Sequence, residues 1–273
     1  MLLTILAPGL NNRLKMNRPK HLSSNLIIQS PPKSTSFLLS KQLITLPGSQ
    51  LQAWTCLFET EHINDEEFYF LINSSSLSQR AVPKRKAEHV AGRLCIHWCY
   101  QMLTNQTPPI IHSDNHGCPI WPFPFKGSIS HSNGMAVGAL INKANILSLG
   151  VDVETILDDK TTKNIVGMIL TPAEQAIQIN PVSEKMTFNS YVTLIFSAKE
   201  SIYKALYPLV KHFFDFSAAS VTSVNGSKIK FTLHSQALPE IFDKTLIEVA
   251  YKFENNRVLT TCIVEDTFLR YLR

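Results

Sequence analysis

No stretch of this 273-residue sequence is long and apolar enough to cross a bilayer, which argues against a membrane-spanning helix. The opening MLLTILAPGLNNRLKMNRPK carries its apolar residues before its basic ones, the reverse of a secretory signal, so the cytoplasm is the expected location. Cysteine is too sparse and scattered for a disulfide framework: residues 56, 95, 99, 118 and 262 are an odd set, and reduced thiols are expected. A metal reading exists in IHSDNHGC, where His112, His116 and Cys118 cluster, but no second cluster supplies a fourth ligand and the flanking Asp, Asn and Gly read as a surface loop. There is no G-x-S-x-G elbow for a serine hydrolase, and no short-period repeat. Nor is there a large charge excess. The net charge of +5 suits phosphates or acidic proteins and says nothing about fold.

What is present is the composition of an ordinary globular protein, 44% hydrophobic and 17% charged, and a pattern that divides into three. Residues 1–40, rich in Asn, Ser, Pro and Lys, read as an extension of low structural content. Residues 41–145 hold a strand at LQAWTCLF, a helix over about 84–103, and the strand-like runs GSISHS and MAVGALI. In the helix, Ala87, Ala91, Leu94, Trp98 and Met102 recur at helical spacing as a buried stripe, with Lys86, His89 and Arg93 on another face; Gly92 inside it implies a close neighbour or a ligand. Residues 146–273 hold the strand LSLGVDVETI, a capping box at Thr171-Pro172-Ala173-Glu174, a helix starting at Ser197, and a closing antiparallel meander of KIKFTL, TLIEVAYKF and RVLTTCIV. The fold class is α+β with a seam near 141–146.

Three stretches bear on chemistry. In LSLGVDVETI the alternation puts Asp152 and Glu154 on one side of a half-buried strand, where like charges repel unless something answers them. In FSAKESIYKALYP, Glu200 and Lys204 share a helix face, and Ile202, Leu206 and Leu209 give the buried side. Each has a plain structural account: a solvated strand face for the first, and for the second a cap at Ser197 with an i,i+4 ion pair. Together, three carboxylates and nearby lysines also form a suitable set for a hard cation that bridges to phosphate oxygens. The third stretch, GSISHS, offers small residues and hydroxyls to an anion, with His131 as a further donor or simply a structural histidine.

The segments KRKAEHVAGR (84–93), GCPIWP (117–122), GSISHS (127–132), LGVDVE (149–154), LTPAE (170–174) and FSAKESIYKA (196–205) occur in an order that resembles the 4'-phosphopantetheinyl transferases, most of all the siderophore-synthesis branch typified by component D of enterobactin synthase. The resemblance runs from about residue 45 to 265 and implies two similar α/β halves in a pseudo-two-fold arrangement, with the active site at their interface. It implies transfer of the phosphopantetheine arm of coenzyme A to a serine of an acyl, aryl or peptidyl carrier protein, with release of 3',5'-ADP. By motif position it implies magnesium on Asp152, Glu154 and Glu200, with Glu200 also a candidate base and Lys204 at the pyrophosphate. Ser130 and His131 would lie near the 3'-phosphate, and Arg85 and Arg93 at the nucleotide end. Residues 1–40 fall outside the resemblance, and Cys118 stands where a related branch has a lysine.

Two other classes fit parts of the pattern. A magnesium-dependent nuclease or phosphodiesterase would use the same carboxylates and lysines but leaves GSISHS and LTPAE unexplained. A non-catalytic module could hold nucleic acid on the basic helix, yet the interleaved aromatics such binding needs are missing, and no nucleic-acid partner is expected.

Overall fold

The computed structural model describes residues 37–61, 63, 81–176, 186–235 and 238–270. Most of the expected extension, residues 1–36, lies outside them; its last residues belong to β1 (Leu38–Thr45). β1 pairs with β2 (Gln52–Phe58), and the sheet continues through β4 (Met135–Ile141) to β3 (Lys126–Ser132), giving the order β1-β2-β4-β3, antiparallel throughout. Strand β1, LLSKQLIT, escapes a sequence reading because it is an edge strand and nearly all of it is exposed, so little alternation of burial marks it.

Helix α1 (Pro83–Thr104) lies across this sheet. Pro83 suits its first turn, and it ends where Asn105 turns left-handed at φ 57°. Ala87, Val90, Ala91, Leu94 and Cys95 face the strands, so the expected stripe holds at its start; at its far end Met102 is exposed. The close neighbour implied by Gly92 is Ile129 of β3: a methyl group at Gly92 would lie 2.5 Å from Ile129 Cγ2.

After the turn at 142–145 the chain enters a second sheet, ordered β5-β9-β8-β7-β6. Its strands are β5 (Ile146–Thr155), β6 (Ala219–Asn225), β7 (Lys228–Leu233), β8 (Leu246–Glu254) and β9 (Arg257–Glu265). The meander forms as β7-β8-β9, flanked by β5 on one side and by β6 on the other. Before it come α2 (Asp159–Ile169) and the short α3 (Pro172–Ala176), whose capping box is made as expected: Thr171 N donates to Glu174 Oε2 at 2.8 Å and Glu174 N to Thr171 Oγ1 at 3.2 Å. Glu174 then takes two further bonds, from Lys199 Nζ at 2.9 Å and Val221 N at 2.8 Å, and Lys199 also donates to Ile169 O. With every charge hydrogen-bonded, this buried pair ties four elements together: α2, α3, β6 and the helix that carries Lys199.

The long helix of this half corrects one expectation. α4 runs Phe188–Val210 and is capped by Thr187, whose hydroxyl accepts from Ser190 N, so Ser197 lies well inside it rather than at its start. Tyr191, Val192, Thr193, Leu194 and Ile195 are all buried, and a turn apolar on every side shows no helical period to read. Leu209, expected on the buried side, is more than a third exposed.

Each half is thus a sheet with one long helix on it, α1 on the first and α4 on the second. A third core lies between them: Ala53, Val137, Ala139 and Ile141 of the first sheet meet Leu149, Val151 and Val153 of β5. The apolar side of LSLGVDVETI therefore holds the halves together and turns its acidic side toward α4. β3 and β5 are both edge strands, and this is where the halves meet along their length.

Candidate active site at the seam of the two halves

Strand β3 faces β5 with every second residue. Ser128 Oγ accepts from Val151 N at 2.9 Å, Ser130 Oγ donates to Asp152 Oδ1 at 2.7 Å, and Ser132 Oγ donates to Glu154 Oε2 at 2.7 Å. Ile129 and His131 point the other way, toward α1. The period of two that puts Asp152 and Glu154 on one side thus also puts three hydroxyl groups opposite them.

From α4, Lys204 Nζ reaches Asp152 Oδ1 at 2.6 Å and Ser197 Oγ donates to Asp152 Oδ2 at 2.7 Å. Asp152 is therefore held by three donors from two elements, all buried or nearly so. Lys204 pairs with this residue in place of the helical ion pair with Glu200 that spacing alone suggests. Glu200 faces the same cluster: Asp152 disfavours its charge and Lys204 favours it, and its Oε1 is buried without a hydrogen-bond partner among the described residues.

The electrostatics follow from burial. Desolvation pushes the Glu154 carboxyl up to about 8, with the Asp152 charge adding to it and the Ser132 bond opposing it. Desolvation raises Glu200 to about 7, helped by Asp152 and opposed by Lys204. On the α1 side, His131 is pushed down to about 3 by burial and then by Arg85 and Lys204, and His89 also to about 3 by burial and then by Arg93 and Arg85. Arg85 Nη1 lies 3.3 Å from His131 Nε2; since a guanidinium only donates, Nε2 accepts and the ring proton sits on Nδ1, 3.6 Å from Glu88 Oε2.

These shifts carry a stability prediction. A carboxyl whose folded value exceeds its unfolded 4.5 binds its proton more tightly when folded, so stability falls as pH rises from about 4.5 to about 8. The depressed histidines act in the opposite sense, and their contribution is lost as pH falls below 6.5. In chelator the melting temperature is expected to peak near pH 5 to 6 and to drop by several degrees at pH 8.5. Glu154→Gln should flatten the alkaline limb but leave the acid limb. An alkaline limb equally steep in that variant would show that other groups titrate there.

The structure thus brings Ser130, Asp152, Glu154, Glu200 and Lys204 to one seam, with His131 and Arg85 beside it. Arg93 lies further along α1, where Nη2 donates to Ser113 Oγ at 3.2 Å and Nη1 is buried without a partner among the described residues. Cys118 lies near Arg93, and burial pushes its thiol up to about 11, so it stands there as a neutral group at physiological pH. Ser130, expected near a phosphate, instead gives its one hydroxyl proton to Asp152. Sequence reasoning passed over Ser132, Ser197 and Glu88. Ser132 was detectable from its even spacing with Ser130; Ser197 was hidden because it reads so well as a cap.

Among the described residues, no three His, Cys, Asp or Glu side chains stand arranged to hold a metal ion, and that applies to Asp152, Glu154 and Glu200 as it does to His112, His116 and Cys118. The chemistry of the seam nevertheless fits a hard cation. Its donors are all carboxylate oxygens, two of the three resist ionising where they are, and Glu200 Oε1 has among the described residues no partner of the kind a cation would supply.

Two family models match the chain: "4'-phosphopantetheinyl transferase N-terminal domain" over residues 73–141 and "4'-phosphopantetheinyl transferase superfamily" over residues 148–262. Enterobactin synthase component D of Salmonella typhi is 32% identical over 177 residues, covering 64% of this chain and 70% of that protein. The 4'-phosphopantetheinyl transferase Svp of Streptomyces mobaraensis is 31% identical over 142 residues, 52% of this chain and 56% of that one. The 4'-phosphopantetheinyl transferase PptT of Mycobacterium tuberculosis is 30% identical over 153 residues, 56% of this chain and 64% of that one. These matches lend no support to a nuclease or phosphodiesterase.

Proposed function

The chain belongs to the 4'-phosphopantetheinyl transferase family, and on that premise we propose how its own residues divide the work of moving the phosphopantetheine arm of coenzyme A onto a serine of a carrier protein. The observation that carries the reading is the seam itself: acidic residues of β5 and α4, one lysine and a buried carboxylate oxygen with no partner among the described residues meet where the two halves join.

In the reaction the carrier serine oxygen forms a bond to the β-phosphorus of coenzyme A, the bond from that phosphorus to the bridging oxygen breaks, and 3',5'-ADP leaves. The serine proton passes to a base. The family uses coenzyme A and typically a divalent metal; here magnesium is the ion proposed, held by Asp152, Glu154 and Glu200. When bound, it would neutralise charge on the pyrophosphate oxygens. Lys204, already turned into the seam, adds a second positive charge for the same oxygens. Glu200 is also the proposed base, since its carboxyl faces the seam beside Asp152 and Lys204.

His131 and Arg85 form the proposed seat of the 3'-phosphate, where an added dianion would offset the burial and the Arg85 and Lys204 charges that now keep the imidazole neutral. Ser130 lies next to them but must release Asp152 before it can donate to a phosphate. Arg93, with Nη1 unpartnered among the described residues, is assigned to the nucleotide end. The acceptors proposed are apo peptidyl, aryl or acyl carrier domains of nonribosomal peptide or siderophore assembly. No described helix is long and apolar enough to cross a membrane, and the cysteines are free thiols, which suits the cytoplasmic setting proposed here.

The test is carrier loading. Incubation with coenzyme A, magnesium and a panel of apo carrier proteins should add the mass of one phosphopantetheine group to at least one acceptor. A folded protein that loads none of a broad panel would refute the reading.

A further inference from the structure

Ser132 lies one strand period beyond Ser130 and has no role in the division of labour above. Its hydroxyl donates to Glu154 Oε2 at 2.7 Å, and Ser132 Oγ itself accepts a longer bond from Thr155 N at 3.4 Å. On Asp152, Ser197 does the equivalent from α4: wholly buried, it donates to Oδ2, while Thr260 Oγ1 on β9 donates to the Ser197 carbonyl at 2.9 Å and so fixes that turn of the helix. The two acids of β5 are thus each gripped by a serine that belongs to another element. Ser128 completes the row on β3 in a different way, because it meets the backbone N–H of Val151 and touches no carboxylate.

We propose that Ser132 and Ser197 are positioning residues that aim Glu154 and Asp152 at a shared divalent cation, and that the serine row of β3 carries this aim across the seam between the halves. The inference rests on the metal reading above and deepens it. Two carboxylates side by side on a strand repel and spread apart when each is free to rotate. The Ser132 hydroxyl on Glu154 Oε2 and the Ser197 hydroxyl on Asp152 Oδ2 fix the two rotamers; because Ser130 and Lys204 already occupy Asp152 Oδ1, what is left for the ion is the second lone pair of Oδ2 and the free lone pairs of Glu154. Donors of this kind behind a ligand typically change metal affinity by about 10- to 100-fold.

Ser128 provides the control. Ser128→Ala removes the acceptor of a buried N–H and so loosens the same seam without touching either acid, while Ser132→Ala removes the hand on Glu154 together with the longer 3.4 Å acceptor of Thr155 N. Manganese(II) binding, followed by the loss of its free-ion electron paramagnetic resonance signal, reads affinity without any turnover. The expected result is a dissociation constant raised about 10-fold or more in Ser132→Ala, recovered in Ser132→Thr, and unchanged in Ser128→Ala even though its melting temperature falls. Coenzyme A affinity measured in chelator should be unchanged in Ser132→Ala. Parental manganese affinity in Ser132→Ala, an equal loss in Ser128→Ala, or loss of metal-free coenzyme A binding in Ser132→Ala would each overturn the proposal. If Asp152→Asn abolishes manganese binding while Ser132→Ala does not alter it, the positioning role fails and the metal site stands. If the parental protein binds no manganese, both fail together.

Discussion

Asp152→Asn is expected to lower carrier loading by about 1000-fold while the protein melts within a few degrees of the parent. The substitution is close to isosteric, and the partners around it allow an amide. Its carbonyl can keep the bonds from Ser130 and Lys204, and its NH2 can face Ser197, whose hydroxyl oxygen accepts as readily as it donates. What disappears is a negative charge at the centre of the seam. Asp152→Ala is a harsher test. It leaves Lys204 Nζ with only the Val151 carbonyl and strips two serines of their acceptor, which costs on the order of 3 kcal/mol for a broken buried pair. The comparison therefore separates charge from packing. Both variants should lose activity, but only the alanine should lose marked stability. With Asp152 uncharged, Glu154 and Glu200 lose a repelling neighbour, so the alkaline fall in stability should shrink in Asp152→Asn as well. Parental loading by a folded Asp152→Asn protein would mean that this carboxylate has no part in the chemistry.

How much of this could be read from the chain alone depended on whether a local period survived. The alternation of LSLGVDVETI is genuine because one face meets the inter-sheet core and the other meets α4 and β3, so the shared direction of Asp152 and Glu154 was legible. The capping box at Thr171 was legible because both of its bonds are local. The same rule misled at Ser197 and Glu200, where the letters of a capping box occur inside a helix and the serine's bond is to a residue 45 positions earlier in the chain. Spacing likewise pairs Glu200 with Lys204, whereas the nearer carboxylate in space is Asp152 on a strand. β6, ASVTSVN, shows little alternation and was missed. The site is made of contacts between elements distant in sequence, and such contacts leave only residue types behind, not their partners. That the motifs point to one family supplied what periodicity could not.

Gly150→Ala is expected to cost the enzyme at least about 100-fold in loading and several degrees in melting temperature, although the substitution adds a single methyl group. A Cβ at this position would lie 1.8 Å from the carbonyl oxygen of Ser201 and 2.8 Å from Ala205 N. Both are backbone atoms of α4, so no side-chain rotation relieves the clash; the helix itself must move off β5, by roughly an ångström or more to restore ordinary contact. Ser148, two residues earlier, binds the same turn of α4 through the Ala205 carbonyl, and that bond would be stretched too. The displaced turn lies between Glu200 and Lys204, so the movement is applied to the two helix residues that face Asp152, and errors of about 1 Å in a reacting array are enough to cost about 100-fold. The glycine is there so that strand and helix can approach closely enough for one carboxylate to be reached from both. Gly167→Ala is the matching control: on the exposed side of α2 an added methyl meets nothing within 4 Å, and the change should leave loading intact and raise stability by about 0.5–1 kcal/mol. If Gly150→Ala melted and loaded like the parent while Gly167→Ala behaved as expected, the close contact of α4 with β5 would not be what holds the site in place.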